Sequence, residues 1–285
     1  MRIVNYIFTL ILAVFFPLSL FSHSTRQDLQ GIPAIQITDA CNDPLIKRPV
    51  RGLYAVEGGS MSAVSRYLSP VEYSGFRFGL SGYWTKLLPQ SPAWWRMHFE
   101  GGAGAALGLL NPRGTASMQG IDINFAWHCA AYRHLPYGLT ISAGPGITTE
   151  GGILALLKNS NNPVSINLMA AVSARTDLLW ETNIKRLPVT ARLSLSIPLA
   201  GAFFMPGYGE TYYEISLGNR NGLAHALWPG NYPQINLNTG VSFDFGKTSM
   251  ELGYHLYWRR STANNLVERQ CRNMLYIGII PGGGR

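Results

Sequence analysis

Charge is scarce in this sequence: Asp, Glu, Lys and Arg make up 13% of the residues, against roughly 25% in an ordinary soluble domain. Part of the surface is therefore expected to face something other than water. Long apolar runs are missing too. Beyond the first 24 residues none approaches the roughly 18 needed for a spanning helix. That excludes a helical multi-span protein and leaves a closed barrel as the only way across a bilayer. Cys41, Cys129 and Cys271 are too few and too scattered for a disulfide framework. None stands at a leader cleavage point, so a lipidated N-terminal cysteine is not expected. No Ser/Gly-rich or charged linker divides the 285 residues, and one folded domain is expected.

What is present points to sheet: 31 glycines and 12% aromatics suit tight turns and interfacial rings. At the start, Arg2 precedes an apolar run from Ile7 to Phe21, followed by Ser22 and Ser24. This is the pattern of a secretory signal peptide over residues 1–24, with a run too short for an anchor. A periplasmic segment is assigned to 25–51 and the barrel to 52–285.

From about residue 72 the chain alternates with period two, apolar on one parity and polar on the other. Phe76, Phe78, Leu80 and Trp84 oppose Arg77, Ser81 and Thr85. Trp95, Met97, Phe99, Ala103 and Leu107 oppose Arg96, His98 and Glu100, and Ile121, Ile123, Phe125, Trp127 and Cys129 oppose Asp122, Asn124 and His128. Leu139 to Ala143, Val164 to Asp177, Val189 to Ile197, Gln234 to Asp244, Met250 to Arg259 and Met274 to Ile280 continue the series. With a weaker run at Leu53 to Gly58, this predicts an antiparallel up-and-down transmembrane β-barrel of about ten strands. Links near Pro89 to Pro92, Tyr132 to Tyr137, Glu181 to Pro188 and Gly246 to Thr248 are short. Those over 60–71, 110–118, 146–163, 200–233 and 260–271 are long, which predicts short periplasmic turns and long outer loops. Trp84, Trp94, Trp95, Tyr132, Tyr137 and Trp180 are expected to form one interfacial girdle at the periplasmic ends.

Alternation alone does not say which face points in, because a lipocalin turns its apolar face inward and a membrane barrel outward. In the membrane arrangement Arg77, Arg96, Arg175, Arg192 and Arg259 share the interior with Glu100, Asp122, Asp177, Asp244 and Glu251. A barrel this narrow would be cross-linked by them and plugged or nearly so. Cys129 would face lipid, and no intramolecular disulfide is expected.

His98, Glu100, Asp122, His128 and His255 fall on one face of neighbouring strands. Such a set suits a metal or acid–base site, but their dispersal favours an interior polar network, and no metal site is assigned. Ser194 and Ser196 lack a nucleophile-elbow pattern. Gly101-Gly102-Ala103-Gly104 lies within a strand with no helix after it, so no phosphate cofactor is expected and close approach of strands or a plug is. The segment 200–233 is too long for an ordinary hairpin loop and carries Phe203, Phe204, Tyr208, Tyr212, Tyr213, Trp228 and Tyr232. It reads as an extended hairpin, Tyr212 to Leu217 against Leu223 to Trp228, acting as a lid or as an aromatic ligand or partner surface. The net charge of +8 is not concentrated in the outer loops. Nucleic acid is not expected as a partner, whereas outer-membrane lipids and the barrel-assembly machinery are.

Three loop motifs, Asn159-Ser160-Asn161-Asn162-Pro163, Tyr208-Gly209-Glu210-Thr211-Tyr212-Tyr213-Glu214-Ile215 and Asn264-Asn265-Leu266, resemble those of an uncharacterised Bacteroidales barrel family, a domain of unknown function. The likeness spans roughly residues 50 to 280. It implies an envelope location and a barrel, and no activity. The chain ends in Pro-Gly-Gly-Gly-Arg and not in an aromatic residue, which leaves Tyr276 or Ile280 as the assembly signal. The expectation is a bacterial outer-membrane barrel, not an enzyme, with a narrow or plugged lumen and a binding, structural or small-solute transport role. An envelope lipid-modifying enzyme and a soluble periplasmic lipocalin-like carrier are the alternatives.

Overall fold

A strand with two chemically different faces can satisfy both by closing a sheet on itself. The computed structural model describes residues 50–87, 95–159, 163–184, 187–218 and 222–281. It contains β1 (Val50–Ser65), β2 (Ser69–Leu87), β3 (Trp95–Leu110), β4 (Ser117–Leu135), β5 (Leu139–Ala155), β6 (Val164–Ile184), β7 (Leu187–Phe204), β8 (Ala224–Leu227), β9 (Gln234–Asp244), β10 (Thr248–Ala263) and β11 (Leu266–Pro281), with a short helix α1 (Tyr212–Ser216). All but β8 form a ring of ten antiparallel strands: each pairs with the next, β7 pairs with β9, and β1 closes on β11 from Tyr54↔Ile279 to Ser65↔Glu268. The ring leaves no free edge.

Burial settles the direction of the two faces. Phe76, Leu80, Ile121 and Ile123 are 60–63% exposed on the outside, whereas Arg77, Arg175 and Asp177 are 2% exposed within. Apolar out and charged in is the transmembrane arrangement and the reverse of a lipocalin's, so the carrier reading loses its basis. The rim where β1 begins and β11 ends is called the lower rim. Around it Trp84, Trp95 and Trp180 stand on the outward parity, Trp84 packs edge-to-face on Tyr54 at 5.6 Å, and Tyr137 is almost fully exposed in the β4–β5 turn. Trp94 lies outside the described residues. Tyr132 departs from the expected girdle: it sits on the inward parity of β4, beneath the guanidinium of Arg96 at 4.4 Å.

The connections depart further. The expected long loops at 60–71 and 260–271 are a three-residue turn (66–68) and a two-residue turn, Asn264-Asn265, with both φ values positive. Ladder pairing continues up to Ser65↔Ser69 and Ala263↔Leu266. The runs involved, such as Ser60-Met61-Ser62-Ala63, mix small and polar residues on both parities and so hide the alternation. The connection from 205 to 233 stays long, and its expected internal hairpin is replaced. Residues 212–216 form α1, and β8 pairs with the upper end of β7 (Gly201↔Leu227 to Phe204↔Ala224), beyond the last β7–β9 pair at Ser196↔Asn236. An unpaired length of β7 is thus covered by the chain that leaves it. Cys129 and Cys271 are free and lie on separate strands; Cys41 lies outside the described residues.

Placing a cation on the mid-belt exterior tests the orientation. Ile123→Arg is expected to destabilise the bilayer-folded barrel by about 2–4 kcal/mol, read by denaturant titration in vesicles. A cost within about 0.5 kcal/mol, as for a wetted surface, would mean that this face does not meet lipid.

Candidate functional site

The inward parity of the strands builds three layers inside the ring. In the middle layer, Arg77 on β2 donates from Nε and Nη2 to both oxygens of Asp122 on β4 (3.0 and 2.7 Å) and from Nη1 to Glu57 on β1 (2.5 Å). Arg272 on β11 donates to the same Asp122 at 3.0 Å and stacks over Tyr257 at 4.3 Å. His255 lies 3.2 Å from Glu57 and 2.9 Å from the Asn236 side-chain oxygen. Glu150 on β5 accepts from Tyr257 on β10 (2.5 Å) and Gln234 on β9 (2.6 Å), a link between nearly opposite walls. Gly104 makes the layer possible, because a Cβ there would lie 2.1 Å from Arg77 Nη2. The glycine-rich stretch of β3 is thus room for a guanidinium.

Below it, Arg175 on β6 donates to Glu100 on β3 (2.5 Å) and to Asp177 (2.9 Å), while Arg192 on β7 donates to Glu251 on β10 (2.7 Å). Tyr276 also donates to Glu251, at 2.8 Å. Tyr83 reaches from β2 between the two guanidiniums, whose carbons lie 5.0 Å (Arg175) and 4.9 Å (Arg192) from its ring centre. Its hydroxyl meets Nδ1 of His98.

The upper layer is apolar. Met61, Tyr73, Leu109, Met118, Leu154, Met169 and Phe203 turn inward near the upper strand ends, and Met205, Leu227 and Tyr232 join them from the long connection. Phe203 is thus 3% exposed and packs on Tyr232 at 4.9 Å between ring centres. A capping box starts α1: Thr211 Oγ1 accepts from the Glu214 amide (3.2 Å) and Glu214 accepts from the Thr211 amide (2.9 Å). Tyr212 packs edge-to-face on Tyr67 and accepts the Ile166 amide hydrogen at 2.7 Å. Asn264, from the two-residue turn, donates to the Met205 and Gly222 carbonyls and ties the connection down.

Arg77, Arg96, His98, Glu100, Asp122, His128, Arg175, Asp177, Arg192, Glu251, His255 and Arg259 all face the lumen. Asp244 does not join them: it lies at the end of β9 and accepts from the Gly246 amide at 2.8 Å, capping the turn. Tyr276 and Ile280 point inward and are buried. Of the expected outer surface only Tyr208 and Trp228 are strongly exposed, and Phe204 is half-buried on β7; the side chain of Tyr213 lies outside the described residues. Sequence reasoning missed Glu57, Glu150, Tyr83, Tyr257 and Arg272. Extending the alternation of β1, β5 and β11 would have placed Glu57, Glu150 and Arg272, whereas Tyr83 and Tyr257 are aromatics on the polar parity.

The three histidines an enzyme would need are not gathered. His98 meets Tyr83, His255 meets Glu57, and His128 meets Ser173 at 2.9 Å. That serine–histidine contact is not a catalytic dyad. His128 Nδ1 has no partner to orient it, and both residues are at most 1% exposed, so no substrate reaches them. Among the described residues no three His, Cys, Asp or Glu side chains are grouped to hold a metal.

Fold and interior together define a transmembrane β-barrel filled by its own side chains. Its sequence matches the model of a family described as Protein of unknown function (DUF3316) over residues 10–282, and the chain belongs to that family. No curated protein matches it. Among solved structures it is similar to the outer membrane protease OmpT of Escherichia coli (7% identity, 82% of this chain and 96% of that one, TM-score 0.44). It is also similar to the β domain of the Bordetella autotransporter BrkA (10%, 82% and 99%, 0.41) and to Neisserial surface protein A (10%, 81% and 96%, 0.34). These likenesses concern architecture alone.

Two outcomes test the interior. Arg175→Met strands two buried carboxylates and is expected to destabilise by about 3–5 kcal/mol, much of it recovered when Glu100→Gln and Asp177→Asn are added; denaturant titration measures both. In the upper layer, burial pushes the Tyr212 phenol up to about 12. Its stabilising contribution is complete below the ordinary tyrosine range near 10 and is lost as pH rises through about 12. Tyrosinate absorbance should show one alkaline component that Tyr212→Phe removes.

Proposed function

We propose that this chain is a bacterial outer-membrane barrel with a sealed lumen, and that it acts by binding or by structural support of the envelope and not as an open channel. One observation carries the reading: side chains from nearly opposite walls meet at the axis, Glu150 with Tyr257 and Tyr83 between Arg175 and Arg192, and an apolar layer lies above them. A barrel of about eight strands is just filled by its side chains, and two more strands add little free cross-section. In this reading the signal peptide of residues 1–24 directs export. The lower rim faces the periplasm, outer-membrane lipids contact the apolar belt, and the barrel-assembly machinery inserts the chain. An origin among the Bacteroidales rests on the loop motifs alone. The connection from 205 to 233 serves as a lid, supported by Met205, Leu227 and Tyr232 packing inward.

Planar-bilayer recording of the folded protein tests the sealing. The expected result is no resolvable channel, and none when the lid residues 206–222 are removed, because the charged layers below still fill the cross-section. Large, persistent conductance from the intact chain would overturn the reading, and recovery of the chain in a detergent-free soluble fraction would overturn the location.

A further inference from the structure

Three arginines meet on the outside of the barrel, above its apolar belt. Arg260 on β10 and Arg269 on β11 are direct partners in the ladder, and residues so placed hold their Cβ atoms about 4.5–5.5 Å apart. Each is exposed between buried neighbours, Arg259 and Ser261 on one strand and Glu268 and Gln270 on the other, so both point outward. Arg66, the first residue of the turn after β1, is exposed as well, and its amide donates to the Val267 carbonyl at 3.3 Å. That sets it diagonally from Arg269, at about 7–8 Å, a gap that long side chains span. Segments far apart in the sequence thus bring three cations to one patch.

Among the described residues nothing answers this charge. Like charges directly opposite one another on a sheet are destabilising, and none of the three guanidiniums enters an ion pair or hydrogen bond there. The carboxylates nearby are engaged elsewhere. Glu268 points inward and accepts from Ser65 and Ser165, Glu210 accepts from the Gly207 amide, and Glu214 caps α1. Glu72 on β2 is exposed on the far side of β1, one carboxylate against three guanidiniums.

The height of the patch identifies its partner. Tyr54, which packs on Trp84 in the lower girdle, pairs with Ile279, and ten residues along the same ladder Val64 pairs with Arg269. At about 3.3 Å per residue this is about 33 Å of strand, or about 25 Å along the axis at a tilt of about 40°, the height of a barrel's apolar band. The arginines therefore stand at the opposite interface, where the leaflet presents its headgroup phosphates. Trp258, on the parity of Arg260 and two residues before it, lies directly beneath as an interfacial ring.

We infer that Arg66, Arg260 and Arg269 dock the headgroup of an outer-leaflet lipid that carries a phosphate monoester, with its acyl chains running down the apolar face of β10, β11 and β1. A monoester holds about 1.5–2 negative charges at neutral pH, which matches three guanidiniums beside one carboxylate; a zwitterionic headgroup does not. Guanidiniums take two phosphate oxygens at once, so a pair that repels itself becomes a clamp around the anion. Below it Val56, Leu252, Leu275 and Ile277 are exposed and receive the chains. The inference rests on the proposed outer-membrane placement, with the lower rim in the periplasm.

Native mass spectrometry of the folded full chain tests it, with release from micelles holding phosphatidic acid (a monoester), phosphatidylglycerol (a singly charged diester) and phosphatidylcholine (a zwitterion) of identical acyl chains. Retention of about one phosphatidic acid per barrel is expected, with phosphatidylglycerol roughly tenfold weaker and phosphatidylcholine weaker still. Arg269→Gln should weaken phosphatidic acid roughly tenfold, whereas Arg113→Gln, which removes the same charge from the exposed β3–β4 turn, should change nothing. Heat-modified gel migration confirms folding; if Arg269→Gln fails to fold, Arg66→Gln decides. Equal retention of the three lipids, or phosphatidic acid binding undiminished in the variant, overturns the inference. Full displacement by an equal concentration of inorganic phosphate overturns it too, since the occupant would then be a free anion. A barrel that inserts into vesicles without this preference loses the docking site alone, whereas a chain that inserts into none loses the outer-membrane reading.

Discussion

A guanidinium taken out of water must meet counter-charges, and in this ring of ten strands most of those counter-charges come from other strands, one to four places round the barrel. Arg77, Arg175 and Arg192 each find carboxylates on other strands, and each is at most 7% exposed. The pairing does more than neutralise. A slip of one residue in any strand would turn its arginine or carboxylate toward the apolar exterior and strand its partner inside, so the interior network and the strand register enforce one another. The same contacts fill the cross-section, and sealing is a by-product of satisfying buried charge.

Much of this was legible in the sequence because alternation is strong where strands are chemically two-faced. Phe76 to Leu80 against Arg77, and Ile121 to Phe125 against Asp122, give both the strand and the side it presents. Legibility failed where one parity loses its character. At Ser60 to Ser65 and Ser261 to Glu268 small and polar residues occupy both faces, and ladder pairing continues with no pattern to announce it. Glu150 was hidden because 146–163 read as a loop and Arg272 because the last strand was read only from Met274, while Glu57 lies in the weak run Leu53 to Gly58 and was not singled out. Tyr132 misled in the opposite way: its position near a strand end suits a girdle, and parity alone tells that it points inward.

The upper layer breaks the rule that governs the other two. Met61, Leu109, Met118, Leu154 and Met169 stand on the inward parity, so near the top of the barrel apolar residues face both ways. An apolar interior surface in a water-accessible mouth invites cover, and the cover is supplied by the long connection through Phe203, Met205, Leu227 and Tyr232. Its local signals were misassigned as a hairpin. Thr211-x-x-Glu214 is a helix-start signature, and Ala224 to Leu227 completes the unpaired end of β7. A tertiary vacancy beside an existing strand decided the fold of that segment, and no local pattern records such a vacancy.

The length of the strands has its own effect. At about 3.3 Å per residue, the 19 residues of β4 extend far beyond an apolar band about 25 Å tall, even when tilted. Above that band the exterior turns polar, with Glu72, Arg260 and Arg269 exposed on β2, β10 and β11. An antibody or phage tail fibre arriving from that end would meet a stiff palisade of hydrogen-bonded strands. Recognition there would depend on matching the contour of a fixed surface, and sequence drift could alter its side chains far more readily than its shape.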